Sequence, residues 1–230
     1  MTVAFAVIAA AGGGDRLGNS VAKFEVDLLH EPMVLYSLRA FQQSGAIEGI
    51  VLVVPSGRLD TWSVASLRAS GISKAHSTVA GGATRKESVF LGLQAVEEKD
   101  GIVVVHDAAR PMVTPVMIDT VCEIPRGMAG LVTAIPVTDT IKEVEGRVVV
   151  STLDRTRLVS VQTPQAFELS ALREAHRYAA KEGFEGTDDA SLVERIGGRV
   201  GVVEGAPENI KVTYPADLRM AAAILSGRER

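Results

Sequence analysis

Val3-Ala4-Phe5-Ala6-Val7-Ile8 runs straight into Ala9-Ala10-Ala11-Gly12-Gly13-Gly14-Asp15-Arg16-Leu17-Gly18, and Lys23 follows a few residues later. The first six residues read as a short buried strand. A strand opening into a glycine-rich loop with two cations offers bare backbone N–H groups to an anion, and a polyphosphate is the natural guest. The loop is neither of the two familiar phosphate motifs. Counted from Gly12, a G-x-G-x-x-G pattern needs glycine where Leu17 stands. Gly13 and Gly18 have P-loop spacing, but Asn19-Ser20 stand where Lys-Ser/Thr is required. A glycine cluster by itself also reads as a flexible turn. Arg16 and Lys23 favour the anion.

Outward from this loop, strand-like and helix-like runs alternate. The pattern predicts helices over Pro32–Gln43, Leu59–Ala69, Thr84–Glu97, Pro115–Cys122, Leu169–Lys181, Asp188–Arg195 and Pro215–Leu225. It predicts strands at Ile50–Val54, Ala75–Val79, Ile102–Val105, Gly130–Ile135 and Arg199–Val203. Short β-branched runs between amphipathic helices suit central parallel strands. The expected fold is a doubly wound, mostly parallel α/β sheet of Rossmann-like type, with helices on both faces.

Residues 137–158 break the rhythm. Strand-like segments at Pro136–Thr140 and Arg147–Thr152 flank a Glu145-Gly146 turn, which is a hairpin signal. An isolated two-stranded hairpin is marginal in water. It should pack on a second subunit or fold back on its own domain. The whole chain, 1–230, reads as one domain with this arm.

The 230 residues are 47% hydrophobic and 23% charged, with a net charge of −4. That suffices for one large core and lacks the basic excess of a nucleic-acid surface. The single cysteine, Cys122, excludes an internal disulfide and fits a buried reduced thiol. No cysteine and histidine grouping has zinc spacing. The N-terminal apolar run lacks a basic flank and is too short to span a bilayer. A cytoplasmic protein without membrane partners is expected.

Four further clusters fall where strands end, the usual ligand edge of an open α/β sheet. Gly81-Gly82-Ala83-Thr84-Arg85-Lys86-Glu87-Ser88 contains a capping box at Thr84 and Glu87. Arg85 and Lys86 oppose the helix dipole in the first turn, so they should face an anion. His106-Asp107-Ala108-Ala109-Arg110-Pro111 offers a carboxylate at a strand tip, a suitable Mg²⁺ ligand beside substrate phosphates. His106 itself reads as a hydrogen-bonded structural group. Asp154-Arg155, with Arg157 nearby, precedes Gln162-Thr163-Pro164-Gln165. Thr187-Asp188-Asp189 reads as a helix cap. Lys211 lies in the apolar, strand-like run Glu208–Thr213, where an unpaired charge is costly, so it should reach an edge or an anion. A phosphate loop, one carboxylate and separated cations suit phosphoryl or nucleotidyl transfer, where catalysis is positioning and charge neutralisation.

In their order, these motifs resemble the methylerythritol phosphate cytidylyltransferases of the non-mevalonate isoprenoid pathway. The marks are Ala10-Ala11-Gly12 with Arg16 and Lys23, Gly81-Gly82 with Arg85 and Ser88, and His106 through Pro111. Asp139-Thr140, Thr163-Pro164-Gln165, Thr187-Asp188 and Asn209 through Thr213 complete the set. The resemblance implies CTP as co-substrate, with Ala10, Ala11 and the Gly12, Gly13, Gly14 loop around its triphosphate. Arg16 and Lys23 would stabilise charge at the α-phosphate. Gly82, Ala83 and Ser88 would hold cytosine, with Ala108 lining the site and Asp107 binding Mg²⁺. Thr140, Arg155 and Lys211 would hold the polyol phosphate, with Arg110, Thr163 and Thr187 nearby. It further implies a homodimer in which the arm brings Thr140 and Arg155 to the neighbouring subunit's site. The chain departs from the family pattern at Ala9, Ala22 and Ala83, where prolines and an acidic residue are usual. A ribitol 5-phosphate cytidylyltransferase shares the fold and chemistry. A non-catalytic nucleotide-binding module on the same fold is the reading of another class.

Overall fold

The computed structural model describes residues 3–12 and 22–228. Its first strand, β1 (Ala4–Ala9), is buried along nearly its whole length. A 3-10 turn at Lys23–Glu25 and a small antiparallel pair, β2 (Asp27–Leu28) with β3 (Glu31–Pro32), lead into α1 (Met33–Gln43). Then follow β4 (Ile47–Val54), α2 (Val64–Ala69), β5 (Ala75–Ala80), α3 (Arg85–Gln94) and β6 (Ile102–Asp107). The second half comprises α4 (Pro115–Val121), β7 (Gly130–Pro136), a hairpin of β8 (Lys142–Glu145) and β9 (Val148–Thr152), and β10 (Val159–Glu168). It ends with α5 (Leu169–Glu182), α6 (Asp189–Arg195), β11 (Val200–Glu204) and α7 (Pro215–Arg228).

One sheet carries the strands in the order β11-β7-β10-β6-β1-β4-β5. All its pairings are parallel except those of β10, which runs antiparallel to both β6 and β7. Side chains alternate across the sheet as strand geometry demands. Ala4, Ala6 and Ile8 join one core with Leu38 and Phe41 of α1 and Ile118 of α4. Phe5 and Val7 join the other with Val89 and Leu93 of α3, Leu172 of α5 and Val193 of α6. Gly92 lets α3 approach the sheet closely, since a Cβ there would fall 2.5 Å from Val7 Cγ1. A third cluster joins Ala221 and Leu225 of α7 to Leu28, Met112 and Val212, which ties the C-terminal segment to the region after β6.

The topology sets the site. From β1 the chain goes to β4 and β5 on one side, then returns to β6 on the other. This reversal is the switch point at which open α/β sheets bind ligands. Ala9 pairs with Asp107 there, Ala108 N donates to Ala9 O at 3.1 Å, and Gly81 N donates to Val54 O at 2.8 Å. The ends of β6, β1, β4 and β5 therefore lie in a row along one edge of the sheet.

The doubly wound sheet expected from the sequence is present. Four details differ. The sequence pattern does not predict strand β10, because Gln162-Thr163-Pro164 interrupts its apolar run and the ladder to β7 shifts between Val161 and Gln165. The helix expected from Leu59 begins only at Val64, where Ser63 caps it by accepting from Ser66 N. The hairpin turns at Gly146, whose φ is 60°, but its first strand starts at Lys142 because Pro136 belongs to β7. Residues 209–213 form no strand; the segment is held by Val212 N donating to Ala109 O at 2.8 Å.

Candidate functional site

Asp107 ends β6 with its carboxylate between two cations from distant parts of the chain. Arg85 Nε lies 2.9 Å from Oδ1, and Lys211 Nζ lies 2.6 Å from Oδ2. Burial alone would raise the Asp107 pKa. The charges of Arg85 and Lys211, with their hydrogen bonds, overcome this and hold the carboxyl well below the usual range. Arg85 also reaches Asp189 Oδ2 through Nη1 at 2.7 Å, and Asp189 Oδ1 meets His176 Nε2 at 3.2 Å. Burial opposes the charge on Arg85, but the two carboxylates raise its pKa above the ordinary arginine value. Lys86 turns to Phe184 O and Glu185 Oε1, at 2.8 and 2.7 Å. The two first-turn cations of α3 thus meet carboxylates of the protein.

A second set of bonds fixes the Asp107 backbone. Its N–H donates to Thr163 Oγ1 at 3.1 Å. Thr163 Oγ1 lies 3.1 Å from His106 Nδ1, and His106 Nε2 lies 3.2 Å from Arg110 O. Since Arg110 O only accepts, Nε2 carries the histidine proton, and Thr163 donates its hydroxyl hydrogen to Nδ1. Burial pushes the His106 pKa down to about 3, so the ring is neutral in the fold. With 0% of its surface exposed, it is a structural group, as expected. Arg110 Nη1 donates to Asn209 O at 2.7 Å, while its buried Nε has no hydrogen-bond partner among the described residues.

The glycine pair after β5 is shaped by the start of α3. Thr84 and Glu87 form the expected capping box, and Glu87 Oε2 accepts from Ala83 N at 2.7 Å. Ser88 Oγ donates to Thr84 O at 2.8 Å and accepts from Gly82 N at 3.2 Å. A Cβ on Gly82 would come within 2.5 Å of Glu87 Cβ, so the close turn requires glycine.

Two cavities meet around Asp107. The first, about 410 Å³, is lined by Ala10, Ala11, Gly12, Lys23, Gly82, Ala83, Ser88 and Ala108, together with Arg85, Asp107 and Lys211. The second, about 530 Å³, shares Arg85, Asp107 and Lys211 and adds Arg110, Thr163 and Thr187 over an apolar floor that includes Val132 and Val161. Most residues singled out from the sequence therefore converge. Thr140 and Arg155 line neither cavity; Arg155 Nη1 donates to Thr138 O at 2.6 Å at the base of the arm. Gly13, Gly14 and Arg16 lie outside the described residues. Sequence reasoning did not place Asp189 or His176 at the site. Asp189 was hidden by the cap that Asp188 makes on Ser191 N.

No group of three or more metal-ligating side chains occurs among the described residues. Asp107 is the one carboxylate among the described residues that line the first cavity. Each of its oxygens has two lone pairs and, among the described residues, accepts one hydrogen bond, from Arg85 or Lys211, which leaves lone-pair capacity for a metal ligand bond. One carboxylate beside substrate phosphates is a donor set that suits Mg²⁺.

The family model described as IspD, 2-C-methyl-D-erythritol 4-phosphate cytidylyltransferase, matches residues 4–227. The curated 2-C-methyl-D-erythritol 4-phosphate cytidylyltransferase of Bacillus cytotoxicus is 43% identical over 97% of this chain and 98% of its own length. That of Halalkalibacterium halodurans is 43% identical over 97% of both. The crystal structure of the Thermus thermophilus enzyme of the same name superposes with a TM-score of 0.79 at 31% identity, covering 98% of this chain and 100% of that one. The 4-diphosphocytidyl-2C-methyl-D-erythritol synthase of Anaerococcus prevotii superposes with a TM-score of 0.84 at 27% identity, covering 98% and 99%.

Proposed function

The chain belongs to the 2-C-methyl-D-erythritol 4-phosphate cytidylyltransferase family, and from that premise we propose how its residues divide the work. The enzyme transfers a cytidylyl group from CTP to 2-C-methyl-D-erythritol 4-phosphate, giving 4-diphosphocytidyl-2-C-methyl-D-erythritol and pyrophosphate. A phosphate oxygen of the polyol attacks the α-phosphorus, and the bond from that phosphorus to the bridging oxygen of pyrophosphate breaks. The attacking monoester has a second pKa of about 6 and is largely dianionic at neutral pH, so no general base is needed. The obstacle is the approach of two polyanions.

The first cavity takes CTP. Ala10, Ala11 and Gly12 border the triphosphate, joined by Gly13 and Gly14, which follow them in the sequence. Gly82, Ala83 and Ser88 border the cytosine, with Ala108 lining the nucleotide site. Lys23 and Arg16 neutralise charge at the α-phosphate as the bond order shifts. Asp107 holds Mg²⁺, which when bound supplies charge neutralisation to the phosphates. The second cavity takes the polyol phosphate, with Lys211 and Arg110 as its cations and Thr163 and Thr187 at its wall. The chain acts as a homodimer in which the arm lends Thr140 and Arg155 to the neighbouring site. The exposed Val144, Val148, Val149 and Val150 of the hairpin support this, because an apolar two-stranded arm needs a surface to cover it.

The observation that carries this reading is the Asp107 carboxylate, clasped by Arg85 and Lys211 where the two cavities meet. The test is pyrophosphate release from CTP with each polyol phosphate side by side. The expected result is turnover with methylerythritol 4-phosphate that stops on chelation of divalent cations and returns with Mg²⁺. A clear preference for ribitol 5-phosphate, or full turnover in chelator, would contradict it.

A further inference from the structure

Lys23 opens a 3-10 turn whose other two residues, Phe24 and Glu25, grip one partner. Phe24 is 2% exposed and meets the ring of Trp62 edge-on, with centroids 5.4 Å apart and planes at 60°. Glu25 Oε1 accepts from Trp62 Nε1 at 2.7 Å, and Glu25 Oε2 pairs with Arg58 Nε at 3.2 Å. Trp62 is fastened in turn. Its N–H donates to Arg58 O at 3.0 Å, and its carbonyl accepts from Thr78 Oγ1 at 2.8 Å. Thr78 belongs to β5, so the contacts run from the sheet to the turn. The turn is closed by Glu25 N donating to Ala22 O at 2.9 Å and Val26 N to Lys23 O at 3.3 Å. Lys23 lines the nucleotide cavity with Ser88 and Asp107.

A lysine is a point charge on a long flexible stem, so its place at a reacting phosphate depends on where its backbone is held. We propose that Trp62 and Glu25 are positioning residues for cytidylyl transfer: together they fix the backbone of Lys23 and so direct its ammonium group to the α-phosphate. The proposal rests on the reading of Lys23 as an α-phosphate stabiliser. Neither Trp62 nor Glu25 lines the cavity, so they act through the turn. Trp62→Phe keeps an aromatic ring against Phe24 and removes only the indole donor and part of the ring area.

The test is a double-mutant cycle on kcat. Trp62→Phe and Glu25→Ala should each lower kcat about tenfold, the scale of a sub-ångström misplacement of a reacting group, with KM for the polyol phosphate within about threefold. Glu25→Gln retains an acceptor for the indole and should recover most of the loss seen in Glu25→Ala. In a Lys23→Ala background, Trp62→Phe should cost nothing further. Equal fractional losses in both backgrounds, or kcat within about twofold of the parent in both single variants, would overturn the proposal. Should Trp62→Phe fail to fold, as judged by circular dichroism, Glu25→Ala and Glu25→Gln run through the same cycle decide it. Near-normal turnover by Lys23→Ala alone would overturn the reading of Lys23, and the proposal with it.

Discussion

Lys211 Nζ lies 2.6 Å from Oδ2 of Asp107, joining a C-terminal loop to the tip of a central strand 104 residues earlier in the chain. On the proposed reading, the same ammonium group turns toward the incoming dianion when the polyol phosphate binds. Lys211→Gln keeps polarity and most of the length but loses the charge. A charge-assisted hydrogen bond contributes about 1.5–3 kcal/mol, so kcat/KM for the polyol phosphate should fall roughly 10- to 100-fold. CTP affinity, measured by calorimetry without the second substrate, should change much less. An equal loss for both ligands would place Lys211 at the nucleotide instead.

Arg85 bridges Asp107 and Asp189, whose side chains are 11% and 1% exposed. Removing one partner from a buried ion network costs about 3–5 kcal/mol, because it strands the remaining charges. Arg85→Ala should therefore lower the urea midpoint markedly. Arg85→Lys restores the charge but not the two-pronged reach, and should recover only part of that loss. Equal stability of Arg85→Ala and the parent protein would show that the network does not hold the site together.

His106 makes a prediction in pH. Its folded pKa of about 3 lies below its ordinary value of 6.5, so the unfolded chain binds a proton that the folded chain refuses. Its contribution is fully present above pH 6.5 and is lost as pH falls through the window from 6.5 toward 3. Asp107 and Asp189 are also depressed, from 3.8, and weaken the fold in the same direction only as pH drops below that value. Between about pH 6 and 5, stability should therefore approach a slope of about 1.4 kcal/mol per pH unit from His106. His106→Gln should flatten this slope by nearly one proton, measured by denaturant unfolding across the window. An unchanged slope would contradict the assignment.

The arm can be tested by complementation. Arg16→Ala and Arg155→Ala should each be nearly inactive as uniform preparations. Mixed dimers should regain part of the activity, because one of their two sites has both arginines intact. Verified mixed dimers without rescue would exclude sharing of Arg155 between subunits.

The parallel strands and most of the site could be read in the sequence, because β-branched runs and glycine turns are local signals. The strands that lead to Ala9 and to Asp107 and the glycine pair before α3 follow from such signals. Strand β10 could not be read, since its buried Gln162, Thr163 and Gln165 look like a loop until their partners are known. The roles of Arg85 and Asp189 were half visible. A cation against the helix dipole announced an anion, but only the fold shows that this anion is Asp107 and Asp189. Trp62 gave no signal at all, because its partner Glu25 lies on a different element and is set by tertiary packing.

The most direct measurement is pyrophosphate release by Asp107→Asn, with CTP and methylerythritol 4-phosphate both saturating. Asparagine keeps the shape and a hydrogen-bond acceptor but removes the charge that Arg85 and Lys211 contact and that is proposed to hold Mg²⁺. The account predicts a fall in turnover of about 10³-fold, the scale of losing one preorganised electrostatic stabiliser of the reacting phosphate, here the Mg²⁺ that Asp107 is proposed to hold, in a protein that still folds. Turnover within a few-fold of the parent protein would contradict it.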